Sequence, residues 1–184
     1  MKNLIPRVIQ WAEESNLVNP ADIQPESLMM IYKFGKLTEV ILQGKNSCSE
    51  IGDCLINLII ICRMGNISLA ECIDYPVNDK DERLKDPQYM IGLILSSLGE
   101  VCKNIGMGKD FKKDVCYLFI YLTIIATLHN SSLLECLEVS FKKLQNKKII
   151  RFNGILLEET HEDYPAALVM MKGNKRMKKI PKKT

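Results

Sequence analysis

Few residues in this chain have both the type and the spacing to do chemistry. Asn57 lies inside the apolar run LINLIII. A buried amide must find partners, so Asn57 either bonds across to another helix or reads the edge of a base. Lys142, Lys143, Lys147, Lys148 and Arg151 crowd the end of the last long helix, with Asn153-Gly154 just beyond. Such a cluster is either a solvated helix end or a set of phosphate contacts. Tyr32, Trp11 and Phe152 could stack on a base or pack at the rim of a core. Glu50 and Asp53, spaced i, i+3, open one long apolar stretch, and Asp114 opens another. His129 and His161 are too isolated to build a metal or nucleophilic site. The sequence contains no phosphate-binding Gly-rich loop, no dinucleotide turn and no Ser-His-Asp order.

Helices must position these residues. The spacing predicts a helix over 3–16, with Leu4, Val8, Ile9 and Trp11 on one side, then the polar turn NPAD. A second helix is expected over 26–43, ending at Gly44. A third spans 48–64, between Ser47 or Ser49 as N-cap and Gly65 as C-cap. A short helix follows Ser68, where Glu71 completes a capping box. DYPVNDKDERLKDPQ (74–88), rich in charge and proline, reads as a linker. Helices are then expected over 89–105, 110–128 and 132–146, with RFNGILLEE as a short extended segment too small to make a sheet. The chain reads as all-α.

Composition sets limits on partners. The 184 residues carry a net charge of +3 and are 47% hydrophobic and 26% charged, which suits a soluble globular chain. Much of the positive charge sits in KGNKRMKKIPKKT, so 160–184 reads as a basic, flexible tail, and nucleic acid is not the expected partner. The seven cysteines include no CxxC pair and have no His in metal-ligand spacing; an odd count fits a reducing, cytoplasmic setting. The run 115–128 is only 14 residues long, short of the roughly 20 that span a bilayer, and reads as a buried core helix with no membrane partner.

The pattern occurs twice. Gly35 and Gly99 lie 64 residues apart, as do Gly44-Lys45 and Gly108-Lys109, and the closing turns Ser68-Leu69-x-Glu71-Cys72 and Ser132-Leu133-x-Glu135-Cys136. Asp53 and Asp114 correspond at a separation of 61. Each unit is two amphipathic helices plus a short third and cannot bury both apolar faces alone. Residues 1–73 and 89–159 are therefore expected to combine in one four-helix bundle.

WAEESNL, Gln24-Pro25-Glu26-Ser27-Leu28, FGKLTEVI, EIGDCLINLIIIC and NISLAEC resemble phage-type MazG-like proteins, the all-α nucleoside triphosphate pyrophosphohydrolases. FKKLQNKKIIRFNGILLEE is similar to that family's closing helix and basic tail. The resemblance covers roughly residues 4–73 and 89–159 and implies two units fused as an intrachain pseudo-dimer. Relatives oligomerise, so it also implies a homo-oligomer. The family's chemistry uses a Glu-Glu-x-x-Glu on one helix facing a Glu-x-x-Asp on the next, which together hold Mg²⁺ on hard oxygen ligands.

Carried over residue by residue, Glu50 and Asp53 keep the Glu-x-x-Asp pair and are the candidate metal ligands. The Glu-Glu-x-x-Glu positions are Tyr32, Lys33 and Lys36 in the first unit and Ser96, Ser97 and Glu100 in the second, where the facing pair becomes Phe111 and Asp114. Neither unit has the full set. A composite set of Glu39, Glu50, Asp53, Glu100 and Asp114 has enough carboxylates for residual catalysis only if they converge. In the first unit, two ammonium groups stand where acids would. They repel Mg²⁺ and could instead neutralise phosphates, or pair with Glu50 and Asp53 across a retired site.

The resemblance thus leads to a catalytically degenerate, nucleotide-binding protein. Tyr32, Lys33, Lys36, Asn57, Lys147, Lys148, Arg151 and Asn153 are its candidate ligand contacts. In a phage setting it could act as a sponge against a host defence signal. The alternatives are a divergent Mg²⁺-dependent pyrophosphohydrolase and a structural module using the old cleft for protein contact.

Overall fold

The computed structural model describes residues 3–73 and 81–177. Apolar side chains returning every three to four positions produce the helices: α1 (Leu4–Glu14), α2 (Ile23–Leu42), α3 (Cys48–Met64), α4 (Leu69–Ile73), α5 (Pro87–Gly106), α6 (Lys112–Leu128), α7 (Leu133–Leu144) and α8 (Tyr164–Met177). The architecture is all-α, with one two-stranded sheet added. Among the described residues no single helix is long and apolar enough to cross a membrane.

α3 is the axis. Every residue from Cys54 to Cys62 is buried, because α1, α2, α6 and α7 all pack around it. This enclosure explains why its sequence is apolar on every side rather than striped. α2 packs on α3 and α5 on α6, while α2 also meets α5. The short helices cross over: α4 lies on α6 and α7 on α3. The α3–α7 crossing is close because Gly52 has no side chain. A Cβ there would run into the Cys136 carbonyl and come within 2.7 Å of the Ser140 Cβ.

Turn geometry recurs at an interval of 64 residues. Gly44 (φ +62°) and Gly108 (φ +63°) both end helices in the left-handed region. In each case the glycine N–H and the following lysine N–H return to carbonyls of the last turn: Gly44 to Ile41 and Lys45 to Val40, Gly108 to Ile105 and Lys109 to Asn104. Asn66 and Asn130, also 64 residues apart, take the same backbone region after α3 and α6. The capping box forms at Ser132 and Glu135, whereas the carboxylate of Glu71 pairs with Lys112 of α6.

Three expectations are corrected. RFNGILLEE does form a sheet: β1 (Ile149–Phe152) and β2 (Ile155–Glu158) pair antiparallel, Ile149 opposite Glu158 and Phe152 opposite Ile155. Asn153 (φ +49°) and Gly154 (φ +79°) make the two-residue turn, and Asn-Gly tolerates the positive φ that such hairpins require. The hairpin is held from both faces. Ile149 and Leu156 meet the main core, while Ile150 and Leu157 pack with Tyr164 and Ala167 of α8. Second, the chain past residue 160 is not wholly a loose tail, since α8 continues to Met177. Third, the linker's end is ordered: Glu82–Lys85 forms a 3₁₀ turn and Asp86 caps α5 through the Gln88 N–H. Residues 74–80 and 178–184 of the expected linker and tail lie outside the described residues.

Candidate functional site

α2 and α3 run side by side in opposite senses. Glu26 meets Asn57 near one end, and Lys33 meets Asp53 further along. At the first end sits a buried polar cluster. Glu26 shares the buried register of α2 with Met30, Phe34, Leu37 and Ile41. It is 4% exposed, Arg151 1% and Asn57 fully enclosed. One Glu26 oxygen is ion-paired with the Arg151 guanidinium, and the other accepts from the Asn57 amide. Burial pushes the Glu26 carboxyl above its ordinary range. The Arg151 charge and hydrogen bond, the nearby Lys33 charge and the Asn57 amide offset part of that rise.

The end of α1 fixes the arginine's backbone. Arg151 N–H donates to the Ser15 carbonyl at 3.1 Å, and the Asn16 amide donates to the Arg151 carbonyl at 2.8 Å. Hydrogen-bonding capacity is left over. Arg151 Nε and Nη1, Asn57 Oδ1 and Trp11 Nε1 are buried without a partner among the described residues. Buried donors and acceptors are ordinarily paired, so these four atoms set the cluster apart from the apolar core around it.

Further along the α2–α3 contact, Lys33 is half-buried and its Nζ lies 3.5 Å from the Asp53 carbonyl oxygen. The Asp53 carboxylate itself accepts the Ser140 hydroxyl of α7, and that hydroxyl also reaches the Ser49 carbonyl at 3.2 Å. Lys143 donates to Ser49 Oγ at 2.7 Å. The first carboxylate of α3, Glu50, is half-buried beside this group.

The remaining candidates are spread out. Lys36 points outward and pairs with Glu39 at 2.8 Å, each raising or lowering the other in the direction an ion pair dictates. It does not reach Glu50 or Asp53. Tyr32 is exposed, Lys147 is exposed, and Lys148 pairs with Glu159 across the hairpin at 2.6 Å. Arg151 is no solvated helix end. Asn153 serves the hairpin turn, Trp11 packs edge-on to Phe141 at 6.2 Å, and Phe152 packs with the α8 cluster.

The acids do not gather. Glu100 pairs with Lys103 at 2.9 Å, and Asp114 accepts from the Asn104 amide at 3.4 Å. Among the described residues no group of three His, Cys, Asp or Glu side chains is placed to hold a metal. The composite set of Glu39, Glu50, Asp53, Glu100 and Asp114 is therefore not a metal centre in this arrangement. With an ammonium at Lys33 and Asp53 engaged by Ser140, the residues present do not fit the resemblance's Mg²⁺ cluster.

Glu26 is the site residue that sequence reasoning passed over. Its signal was register: a carboxylate at i, i+4, i+8 and i+11 with Met30, Phe34 and Leu37 must be buried and so must be paired.

The fold is an all-α bundle with a buried carboxylate–amide–guanidinium cluster and, one to two turns along the α2–α3 contact, a half-buried lysine. No family model matches the chain, and no solved structure matches it. It is similar to a protein of Haemophilus phage HP1 (strain HP1c1) described as "Uncharacterized 18.2 kDa protein in rep-hol intergenic region", at 29% identity over 69 residues. The match takes in 36% of this chain and 42% of that protein, so less than half of either is compared.

Proposed function

We propose that this chain is a tandem MazG-like protein that binds an anionic, nucleotide-type molecule without hydrolysing it. The observation that carries this reading is the placement of Lys33. On the face where the resemblance would put metal-binding acids, a half-buried ammonium leans on α3 beside Asp53. A cation there favours phosphate over Mg²⁺. The buried Glu26–Asn57–Arg151 cluster supports the same reading, because it fixes α2 against α3 next to Lys33 and leaves donors and an acceptor unfilled. The two-unit reading is supported by the recurrence of turn geometry at 64 residues and by the crossed packing of α4 and α7. Sequestering a nucleotide-derived signal in a phage-infected cell is a role that fits such binding.

The test is incubation with a panel of linear and cyclic nucleotides and Mg²⁺, followed by denaturation and recovery of the small molecule. Intact ligand recovered in stoichiometric amount is expected. Recovery of a monophosphate and pyrophosphate would return the chain to the hydrolases, and recovery of nothing would leave a protein-contact module. For the best ligand, Lys33→Glu should weaken binding at least about tenfold, since a charge-assisted contact is worth about 1.5–3 kcal/mol. Lys36→Glu should cost less, because its partner is already Glu39. Equal affinity of Lys33→Glu and wild type would remove the cleft assignment.

A further inference from the structure

Three thiols from three helices meet in the core. Cys62 of α3, Cys72 of α4 and Cys116 of α6 are each buried, and the Cys116 Sγ donates to the Cys72 Sγ at 3.0 Å. Cys62 is close enough to Cys72 for the two thiols to influence each other's ionisation. Cys72 accepts from Cys116, with the Lys112 ammonium nearby. Cys72 also forms part of the wall of a cavity of about 370 Å³, lined further by Phe119, Ile120, Thr123 and Leu133. Cys72 has no exposed surface of its own, so a small reagent in this cavity reaches the cluster through a local opening of α4.

We propose that Cys72 and Cys116 are a peroxide-sensitive pair, with Cys72 attacking a small hydroperoxide and Cys116 resolving the product as a disulfide between α4 and α6. In the first step the Cys72 thiolate attacks the O–O bond. An S–O bond forms, the O–O bond breaks, and the leaving oxygen departs as water or an alcohol after taking a proton. In the second, the Cys116 sulfur attacks the Cys72 sulfenic acid. The S–S bond forms, the S–O bond breaks, and a second water leaves with the Cys116 proton. Two thiols are oxidised and one peroxide is reduced.

The roles follow from the surroundings. Cys72 is drawn down to about 7, chiefly by Cys62 and further by Cys116 and Lys112, against its burial. Burial and the hydrogen bond to Cys72 hold Cys116 up at about 12. The thiolate is the nucleophile, so the first attack belongs to Cys72. A sulfur separation of 3.0 Å needs only small side-chain rotations to reach a bond of about 2.05 Å. The consequence is topological: the bond would tie the last helix before residue 74 to the second long helix after residue 86.

The full-length protein treated with hydrogen peroxide near neutral pH tests this. Free thiols should fall from seven to five, and peptide mapping should find Cys72 linked to Cys116. Cys72→Ser should slow thiol loss by about tenfold or more. Cys116→Ser should leave a sulfenic acid on Cys72 that dimedone traps. Mapping of the unaltered protein does not depend on any variant folding. A link between Cys48 and Cys136, a link from Cys62, or equal rates in wild type and Cys72→Ser would each overturn the proposal.

Discussion

Arg151 and Glu26 carry the sharpest consequence at the scale of single residues. Removing one partner of a buried pair leaves an uncompensated charge, and Arg151→Met should cost about 3–5 kcal/mol at neutral pH. Glu26→Met with Arg151→Met should recover most of that loss, since apolar replacements of both partners are often neutral. Chemical denaturation of the two single variants and the double variant measures the coupling, and a cost below about 1 kcal/mol for Arg151→Met would contradict the burial described. The pH dependence has a definite sign. Because burial raises Glu26 above its ordinary 4.5, the folded chain holds this proton more readily than the unfolded one. Its contribution to stability is complete below about pH 4.5 and is lost as pH rises through the raised value. In Arg151→Met the carboxyl rises further, so that variant's deficit should shrink as the solution is acidified. Asn57 was legible in the sequence as a residue in need of a partner, but its partner was not. Glu26 and Arg151 lie 125 residues apart, in segments whose local patterns read as a helix start and a basic end. The docking of β1 against Ser15 and Asn16, just past α1, brings them together.

Glycines discriminate the helices as packed elements. Gly52→Ala places a methyl against the Cys136 carbonyl and Ser140, and α7 must move away from the most enclosed helix of the bundle. A loss of about 1–3 kcal/mol or more is expected, as for other overpacked contacts. Gly35→Ala and Gly99→Ala meet nothing within 4 Å and sit inside α2 and α5. Each should stabilise by roughly 0.5–1 kcal/mol through helix propensity alone. Thermal melts of the three variants check the contrast, and a stabilised Gly52→Ala would show that α3 and α7 do not cross as described. The periodicity of these helices was plain in the sequence to within a few residues. The hairpin was not, because two four-residue strands carry little pattern, and their pairing rests on the Asn153-Gly154 turn and on apolar partners at both faces. Nor could α8 be read, since lysines crowd the segment whose first turns bury only Tyr164 and Ala167.

Crossed packing decides the behaviour of the whole molecule. α4, from the first half of the chain, covers α6 of the second, and α7, from the second half, covers α3 of the first. One buried cluster accordingly runs from Leu4 to Ile149 without a break between the halves. Neither half can close its own apolar faces, because each lacks the helix that the other supplies. Full-length protein should therefore unfold in urea as one transition, with fluorescence of Trp11 in the first half and far-ultraviolet circular dichroism giving the same midpoint. Residues 1–73 and 81–184 produced separately should each lack cooperative unfolding, and mixing them should restore helicity and the single transition. The satellite cluster of Ile150, Leu157, Tyr164 and Ala167 is separate from that core. Ending the chain after Glu162 should therefore lower the midpoint only modestly and keep the transition single. Two resolved transitions in the full chain, or a first half that melts cooperatively on its own, would mean that the halves are independent units that happen to touch.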